Sequence, residues 1–223
     1  AHWAALTNAA TPAKALVLAN RLRLLTAVRE GPQGARGLNA RIEELLASRA
    51  ANAGARRAAA IGPAGNRYFH GRLLLVTENS TRHRLFNGDI GICLEGDDGT
   101  PMAWFPGVDA QSPRPFHPTA LPAHESAFAM TVHKAQGSEF DEVWLVLPVR
   151  FNRVLSRELV YTGITRARSR LHLAGSEAVL REALSRHAGR WSGLGWRLGS
   201  NSSSAVAPPL PESSEEVVQR SLF

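Results

Sequence analysis

A buried strand that runs directly into a polar loop is the feature of this sequence that most restricts its fold. Residues 128–132 form a short apolar run, and the polar residues that follow include His133, Lys134 and Gln136, with a glycine at Gly137. Polar side chains at the carboxyl end of a buried strand are typical of open α/β sheets, which bind ligands at that edge. Taken alone this is a generic ligand loop, and His133 is equally consistent with a structural histidine.

Runs of strand length alternate with runs of helical spacing along the chain. The strand-like runs are residues 22–28, 128–132, 143–147 and 171–174, and the helical ones are residues 13–20, 155–167 and 177–187. A further helix is predicted around Ile42, Leu45 and Leu46, with Asn39 as its N-cap. This alternation predicts an α/β fold, a parallel sheet covered by helices on both faces.

The alternation of strand-like and helical runs is interrupted between residues 72 and 105. Three short β-rich runs, residues 73–77, 89–94 and 102–105, are separated by Asn-Gly and Asp-Asp-Gly turns. This spacing predicts a small meander or barrel inserted into the α/β domain. Residues 51–66 are predicted to be a loop or short helix, and the Ser, Pro and Glu-rich residues 200–223 a disordered tail.

Charge indicates an anionic partner. Lys and Arg number 26 against 19 Asp and Glu, for a formal charge of +7, and residues 1–199 alone carry 25 basic and 16 acidic side chains. Nucleic acid, a nucleotide or an acidic membrane face would each fit this balance. The single cysteine, Cys93, excludes an internal disulfide and a cysteine-based metal cluster. Without an apolar run of membrane length or a signal-peptide pattern, we expect a soluble, cytoplasmic chain with no metal site.

A second polar segment carries three arginines, Arg166, Arg168 and Arg170, at a spacing of two residues. On a strand these side chains would point to one side, so one of them is able to meet a phosphate while the others stay solvated. The alternative is a basic helix end that serves only solubility.

The two segments, with their order and separation, resemble helicase motifs V and VI of superfamily 1. Their wording, TVHKAQGSEFD at residues 131–141 and YTGITRARSRL at 161–171, is most similar to the RecD group, the alpha subunit of exodeoxyribonuclease V. Residues 24–34 with Leu38-Asn39 resemble that group's motif IV, and residues 70–72 with 85–91 resemble its following insert. The resemblance implies a RecA-like motor domain, called 2A, at residues 1–66 and 116–199, with an SH3-like 2B domain at residues 67–115.

By this resemblance, two arginines and a nearby loop would contact the nucleotide. Arg166 would reach the γ-phosphate as the motif VI arginine, stabilising charge in phosphoryl transfer as an arginine finger does. Arg29 would make a related contact as the motif IV arginine. Glu139 would accept a hydrogen bond from the ribose, Gly137 would allow close backbone approach, and Gln136 would couple nucleotide to DNA.

The resemblance also implies a track for single-stranded DNA. Thr131, His133 and Lys134 would lie near its phosphates, whereas Arg168 and Arg170 are expected to be solvated. Trp144 and Tyr161 offer stacking surfaces for bases, but each lies in an apolar run, so we expect core positions for both.

The parts that hold ATP and Mg²⁺ in this family are absent from the sequence. Lys14 follows an alanine and Lys134 a histidine, so no Gly-Lys pair and no P-loop exist in this chain. Asp141 and Glu142 precede the predicted strand at residues 143–147 and so do not form a Walker B pair. We therefore expect ATP and Mg²⁺ to bind only in a complete protein, of which this chain lacks the N-terminal motor domain.

Two functions of different class remain open on the sequence. The first is half of an ATP-dependent 5′-3′ DNA helicase that acts in double-strand break repair and recombination with the beta and gamma subunits of exodeoxyribonuclease V, inactive on its own. The second is a non-enzymatic basic module that binds DNA or a protein partner. A superfamily 1B helicase outside recombination is a variant of the first.

Overall fold

Two β-sheets of different type make up the part of the chain that this computed structural model describes, residues 2–52, 68–96, 99–109 and 112–188. The strands in chain order are β1 Leu22–Thr26, β2 Leu73–Val76, β3 Ile90–Glu95, β4 Pro101–Phe105, β5 Arg114–Phe116, β6 His124–Ser126, β7 Ala129–Thr131, β8 Phe140–Val146 and β9 Ala167–Ala174. The helices are α1 His2–Ala5, α2 Pro12–Ala19, α3 Ala35–Asn52, α4 Arg157–Ile164 and α5 Glu177–Ser185. Short 3₁₀ turns lie at Leu6–Asn8 and Pro118–Ala120.

The first sheet is parallel throughout, with strand order β7-β1-β8-β9. Leu24 of β1 lies opposite Ala129 of β7 on one side and Trp144 of β8 on the other. Three helices start at a hydroxyl cap: Thr11 for α2, Ser156 for α4 and Ser176 for α5. The predicted α/β fold with a parallel sheet is thereby confirmed.

One face of this sheet forms the main core. Leu25, Val143 and Leu145 point inward from the two central strands and are fully buried. Arg23 is buried on the same face, where its guanidinium donates to the backbone oxygens of Ala127 and Ala19 and lies 4.9 Å from the centre of the Phe140 ring. Burial lowers the pKa of Arg23 to about 9. This arginine is therefore part of the core, although its charge interrupts the apolar run at residues 22–28.

The second sheet is antiparallel, with strand order β5-β4-β3-β2-β6. Its small core is formed by buried side chains on its three central strands, among them Leu74, Cys93 and Phe105. Burial raises the pKa of the Cys93 thiol to about 12, so the thiol stays protonated and unreactive near neutral pH.

The antiparallel sheet extends beyond the insert boundary predicted at residue 115. Strand β6 pairs with β2, so that Glu125 lies opposite Leu75, and β7 of the parallel sheet begins only three residues after β6 ends. The two sheets are thus joined through residues 124–131. The SH3-like assignment of the insert stays a prediction.

Several local predictions are wrong. Helix α4 ends at Ile164 and β9 begins at Ala167, so the helix predicted to reach residue 167 is shorter and the strand predicted at residues 171–174 is longer. Of the two alternatives for the arginine segment, Arg168 and Arg170 follow the strand one. Trp144 and Tyr161 are not core residues: their exposed fractions are 40% and 67%. Side chains alternate along a strand, so Trp144 and its neighbour Val143 point to opposite faces of the sheet. Trp144 stacks on His172, with 4.4 Å between the two ring centroids.

Two predictions fall wholly or largely on residues that the structure does not describe. Helix α3 reaches Asn52, so it enters the segment at residues 51–66 that was predicted as a loop or short helix. The rest of that segment and the tail at residues 200–223 lie outside the described residues. Within the described residues, no helix has the length and apolar character that crossing a membrane requires.

Candidate functional site

The residues predicted to contact nucleotide and DNA lie at two opposite edges of the parallel sheet. At the amino edge, where β8 and β9 begin, the backbone N–H of Phe140 donates to the Arg166 oxygen at 2.9 Å. At the carboxyl edge, where β1 and β7 end, the N–H of Val132 donates to the Thr26 oxygen at 2.9 Å. Arg29 lies at this edge, three residues after Thr26. At about 3.3 Å per residue, β1 alone separates these edges by about 13 Å.

Arg29 and Arg166 therefore do not meet. Arg29 follows the end of a strand, whereas Arg166 precedes the start of one, and parallel strands place these positions at opposite edges. The contacts of both arginines with the γ-phosphate, implied by the resemblance, stay predictions.

The Arg166 guanidinium at the amino edge is held by neutral oxygens. Its Nε donates to the Thr162 oxygen at 3.2 Å, its Nη1 to the Ser138 oxygen at 3.1 Å, and its Nη2 to Thr165 Oγ1 at 3.2 Å. Two of these acceptors belong to the C-terminal end of α4, which favours a positive charge. Since a guanidinium has five N–H donors, these three contacts fix its plane and leave donors for an anion.

The loop at residues 136–139 lies beside this arginine. Gly137 has φ +86°, a left-handed conformation that favours glycine. Glu139 follows Ser138, whose oxygen accepts from Arg166, and its Oε2 lies 3.1 Å from Arg168 Nε on the surface. The structure thus brings residues 138–139 next to Arg166, whereas Gln136 belongs to the turn after β7, where its N–H donates to the His133 oxygen. The nucleotide contacts of Gln136, Gly137 and Glu139 stay predictions.

A cavity of about 610 Å³ opens between the carboxyl edge and the antiparallel sheet. Among its lining residues are the predicted Arg29, Thr131 and Lys134. The Lys134 backbone N–H donates to Thr131 Oγ1 at 3.3 Å, which ties these two together. His133 is exposed and does not line the cavity, so only part of the predicted DNA set converges here.

A glutamate unassigned by sequence reasoning connects the two cations of this cavity. Glu125, on β6, lies 3.4 Å from Arg29 Nη2 through Oε2 and 2.5 Å from Lys134 Nζ through Oε1. Glu125 and Lys134 are mostly buried, with exposed side-chain fractions of 27% and 30%, whereas Arg29 is half exposed at 51%. The contact links the antiparallel sheet to the segments that follow β1 and β7.

Asn39, within helix α3, stabilises the same junction between the two sheets. Its Nδ2 donates to the oxygens of Ser126 and Ala129, both at 2.9 Å, and its Oδ1 accepts from the Ala129 N–H at 2.8 Å. The predicted N-cap role is wrong because α3 begins at Ala35, where the N–H of Ala35 donates to the Val28 oxygen. Capping preferences alone gave no signal for this long-range role.

A second polar cluster lines the cavity wall. Arg72 donates to Ser126 Oγ through Nη2 at 2.8 Å and lies 3.4 Å from Glu43 Oε1, and Ser126 Oγ also bonds to Glu43. No group of three His, Cys, Asp or Glu side chains in the described ranges is placed to hold a metal ion. The lining of the cavity carries four cationic side chains and two carboxylates.

Comparisons with known proteins agree with the resemblance of the motifs. A family model for the UvrD-like helicase C-terminal domain matches residues 126–174. The RecBCD enzyme subunit RecD of Mycobacterium tuberculosis is 39% identical over 186 residues, which are 83% of this chain and 30% of that protein. The ATP-dependent RecD2 DNA helicase of Deinococcus radiodurans is 32% identical over 167 residues, 74% of this chain and 21% of that protein.

A solved structure of Bacteroides Pif1 bound to ssDNA matches 75% of this chain and 43% of its own chain, with 14% identity and a TM-score of 0.42. A likeness of that size adds nothing to the fold described above. The chain spans about 30% of the length of the Mycobacterium tuberculosis relative, and less of the Deinococcus one. The sequence matches confirm the similarity to RecD-type helicases.

Proposed function

We propose that this chain, a RecD-type helicase sequence by its matches, forms one wall of an ATP cleft and one side of a single-stranded DNA track in a superfamily 1 DNA helicase. The observation that carries the proposal is the amino edge, where Arg166 is fixed to Ser138 directly beside Glu139. A positioned cation and a carboxylate at one edge match the needs of a nucleotide with phosphates at one end and a ribose at the other.

Arg166 supplies the chemistry at this wall. Its anchored guanidinium presents its remaining N–H donors to the γ-phosphate, where negative charge spreads over the oxygens during phosphoryl transfer. Because Thr162, Ser138 and Thr165 already orient it, little reorganisation is needed when ATP arrives. Glu139 exchanges its surface pairing with Arg168 for the ribose hydroxyls.

The phosphate-binding loop and the magnesium ligands come from a second motor domain. This chain has no Gly-Lys pair, and its described residues hold no cluster of three His, Cys, Asp or Glu side chains placed to bind a metal ion. The chain alone is therefore expected to hydrolyse no ATP above background.

The carboxyl edge forms part of the DNA track. Lys134 and Arg29 supply positive charge and Thr131 a hydroxyl, which are the groups that contact phosphates in a sequence-independent way. On this proposal Arg29 serves DNA rather than ATP, in contrast to the role that the resemblance implied.

The test uses a polypeptide that joins this chain to a motor domain with a Walker A loop. Arg166→Ala is expected to lower kcat for ATP by at least about 100-fold, the range found for arginine fingers. Arg170→Ala is the matched control, because Arg170 is exposed and pairs with Glu142 on the strand. Equal kcat for the Arg166 variant and the control would disprove the assigned role.

A further part of the proposal is a 5′-3′ helicase subunit of exodeoxyribonuclease V, acting in the cytoplasm with beta and gamma subunits in break repair. The match to a RecD subunit supports it, and the match to RecD2 supports the alternative of a helicase outside that complex. Co-purification with beta and gamma subunits from the source organism distinguishes the two.

The non-enzymatic alternative is favoured by the missing Gly-Lys pair. It predicts DNA binding with a steep salt dependence that ATP does not alter, even in the joined polypeptide. ATP-dependent unwinding by that polypeptide would rule it out.

A further inference from the structure

Glu125 lies where the two sheets meet and pairs with two cations at once. Its oxygens divide between Arg29 and Lys134, which come from different segments of the carboxyl edge. Such a carboxylate occupies the position that an external anion would take between the same two cations. A phosphate group offers comparable oxygens and would bind the same donors.

The other charges around the cavity do not fill this position. Four cationic side chains and two carboxylates are among the lining residues, and the second carboxylate, Glu43, is engaged with Arg72 and Ser126. Arg36 pairs instead with Glu30 at 2.9 Å. Arg29 Nε lies 4.0 Å from the same Glu30 carboxylate, a long and exposed contact. Displacing Glu125 would therefore release Lys134 and leave Arg29 with only this contact, so that both are able to meet an anion within a basic lining.

Glu125 can move without opening the junction between the sheets. Asn39 holds the backbone of Ser126 and Ala129 through three hydrogen bonds, and Arg72 with Glu43 holds the Ser126 hydroxyl. The first turn of α3 does not supply the anion site, because the N–H groups of Ala35 and Arg36 donate to the oxygens of Val28 and Arg29.

We propose that Glu125 is an internal competitor for DNA phosphate: it occupies Arg29 and Lys134 in the free protein and is displaced when a phosphate of the single strand enters the cavity. This inference rests on the proposed DNA track and adds a residue that limits its affinity. DNA binding then replaces the ion pairs of Glu125 by ion pairs of a DNA phosphate. The net gain in binding free energy is therefore smaller than Arg29 and Lys134 would give if they were unpaired in the free protein.

The direct test is Glu125→Gln in the complete 223-residue chain, with binding of a fluorescent oligo(dT) of 20 nucleotides measured by anisotropy at several salt concentrations. Since two partly exposed ion pairs no longer compete, we expect the Kd to fall about fivefold. Lys134→Ala should raise the Kd and reduce the steepness of log Kd against log salt by about 0.7, the value of one phosphate contact on a single strand. In the Glu125→Gln/Lys134→Ala double variant, most of the fivefold gain should disappear.

Glu142→Gln is the matched control. Glu142 also lies between two basic side chains, Arg170 and His172, and its side chain is 22% exposed, but it lies on β8 away from the cavity. Its variant should leave the Kd unchanged. An unchanged or raised Kd for Glu125→Gln, in protein with wild-type thermal stability, would overturn the inference and leave the DNA track intact.

A probe without nucleobases separates this inference from the proposed function. Tripolyphosphate binding, measured by calorimetry, should also tighten in Glu125→Gln. If the wild-type chain and the variant both fail to bind oligo(dT) while the variant gains affinity for tripolyphosphate, the DNA track is wrong and the competition by Glu125 stands. If tripolyphosphate binding does not change either, the inference fails.

Discussion

The amino and carboxyl edges of the parallel sheet hold their cations in different ways. Arg166 is anchored by two backbone carbonyls and a hydroxyl, all neutral acceptors that keep its full charge available. Arg29 and Lys134 share the Glu125 carboxylate, so part of their charge is already compensated. Neutral anchors suit a group that must be oriented before its ligand arrives, whereas an ion pair suits a group that must exchange partners repeatedly.

That contrast fits the two tasks proposed for the edges. Phosphoryl transfer needs a fixed guanidinium, since a small displacement weakens the contact to the transition state. Translocation needs phosphate contacts that form and break at every step, which an internal competitor would favour.

Asn39→Ala should loosen the junction between the two sheets, where β7 begins, without directly touching Arg166. The substitution removes three hydrogen bonds from the buried backbone of Ser126 and Ala129, and we expect a loss of about 3 kcal/mol in the free energy of unfolding. Urea unfolding measures it. Asn20→Ala is the control, because Asn20 makes a single long side-chain contact to Arg23, at 3.5 Å. Similar losses in the free energy of unfolding in both variants would show that the Asn39 side chain does not stabilise this junction.

Acid should weaken the helix pair that supports the amino edge. Glu158 in the first turn of α4 accepts from the Ala188 N–H at 2.7 Å, and this hydrogen bond lowers its pKa from 4.5 to about 2. Because the folded state has the lower pKa, the stabilisation is present above about pH 4.5 and is lost as the pH falls towards 2.

The urea midpoint of the wild-type chain should therefore fall more steeply between pH 4.5 and 2 than that of Glu158→Gln. Glu177→Gln serves as a control, since Glu177 occupies the first turn of α5 and pairs with Arg181 on the surface. Parallel pH profiles for the wild-type chain and Glu158→Gln would contradict this assignment.

Much of the fold follows from patterns that depend on near neighbours. The apolar runs give the strands, the Thr11 and Ser156 caps give helix starts, and Gly137 marks a left-handed turn. These features need no knowledge of which distant segments meet. The contact of Arg166 with Ser138 joins segments 28 residues apart, and only the resemblance of both segments to one family's motifs indicates it.

The rest depends on long-range contacts that local patterns do not contain. Asn39 reads as a cap but bonds to residues 87 and 90 positions away. Glu125 carries no local signal, since only the junction of the two sheets brings it to Arg29 and Lys134. The motif resemblance assigns Arg29 and Arg166 to one nucleotide site, whereas the strand order places them at opposite edges of the parallel sheet.

The central claim, that the two edges carry separate tasks, is tested by crossing two variants with two measurements in the polypeptide joined to a Walker A motor domain. Arg166→Ala should lower kcat for ATP at saturating DNA by at least about 100-fold and leave the Kd for oligo(dT) nearly unchanged. Arg29→Ala should raise that Kd several-fold and leave kcat at saturating DNA nearly unchanged. A loss of kcat in Arg29→Ala as large as in Arg166→Ala would show that both arginines serve one nucleotide site, and would contradict the separation.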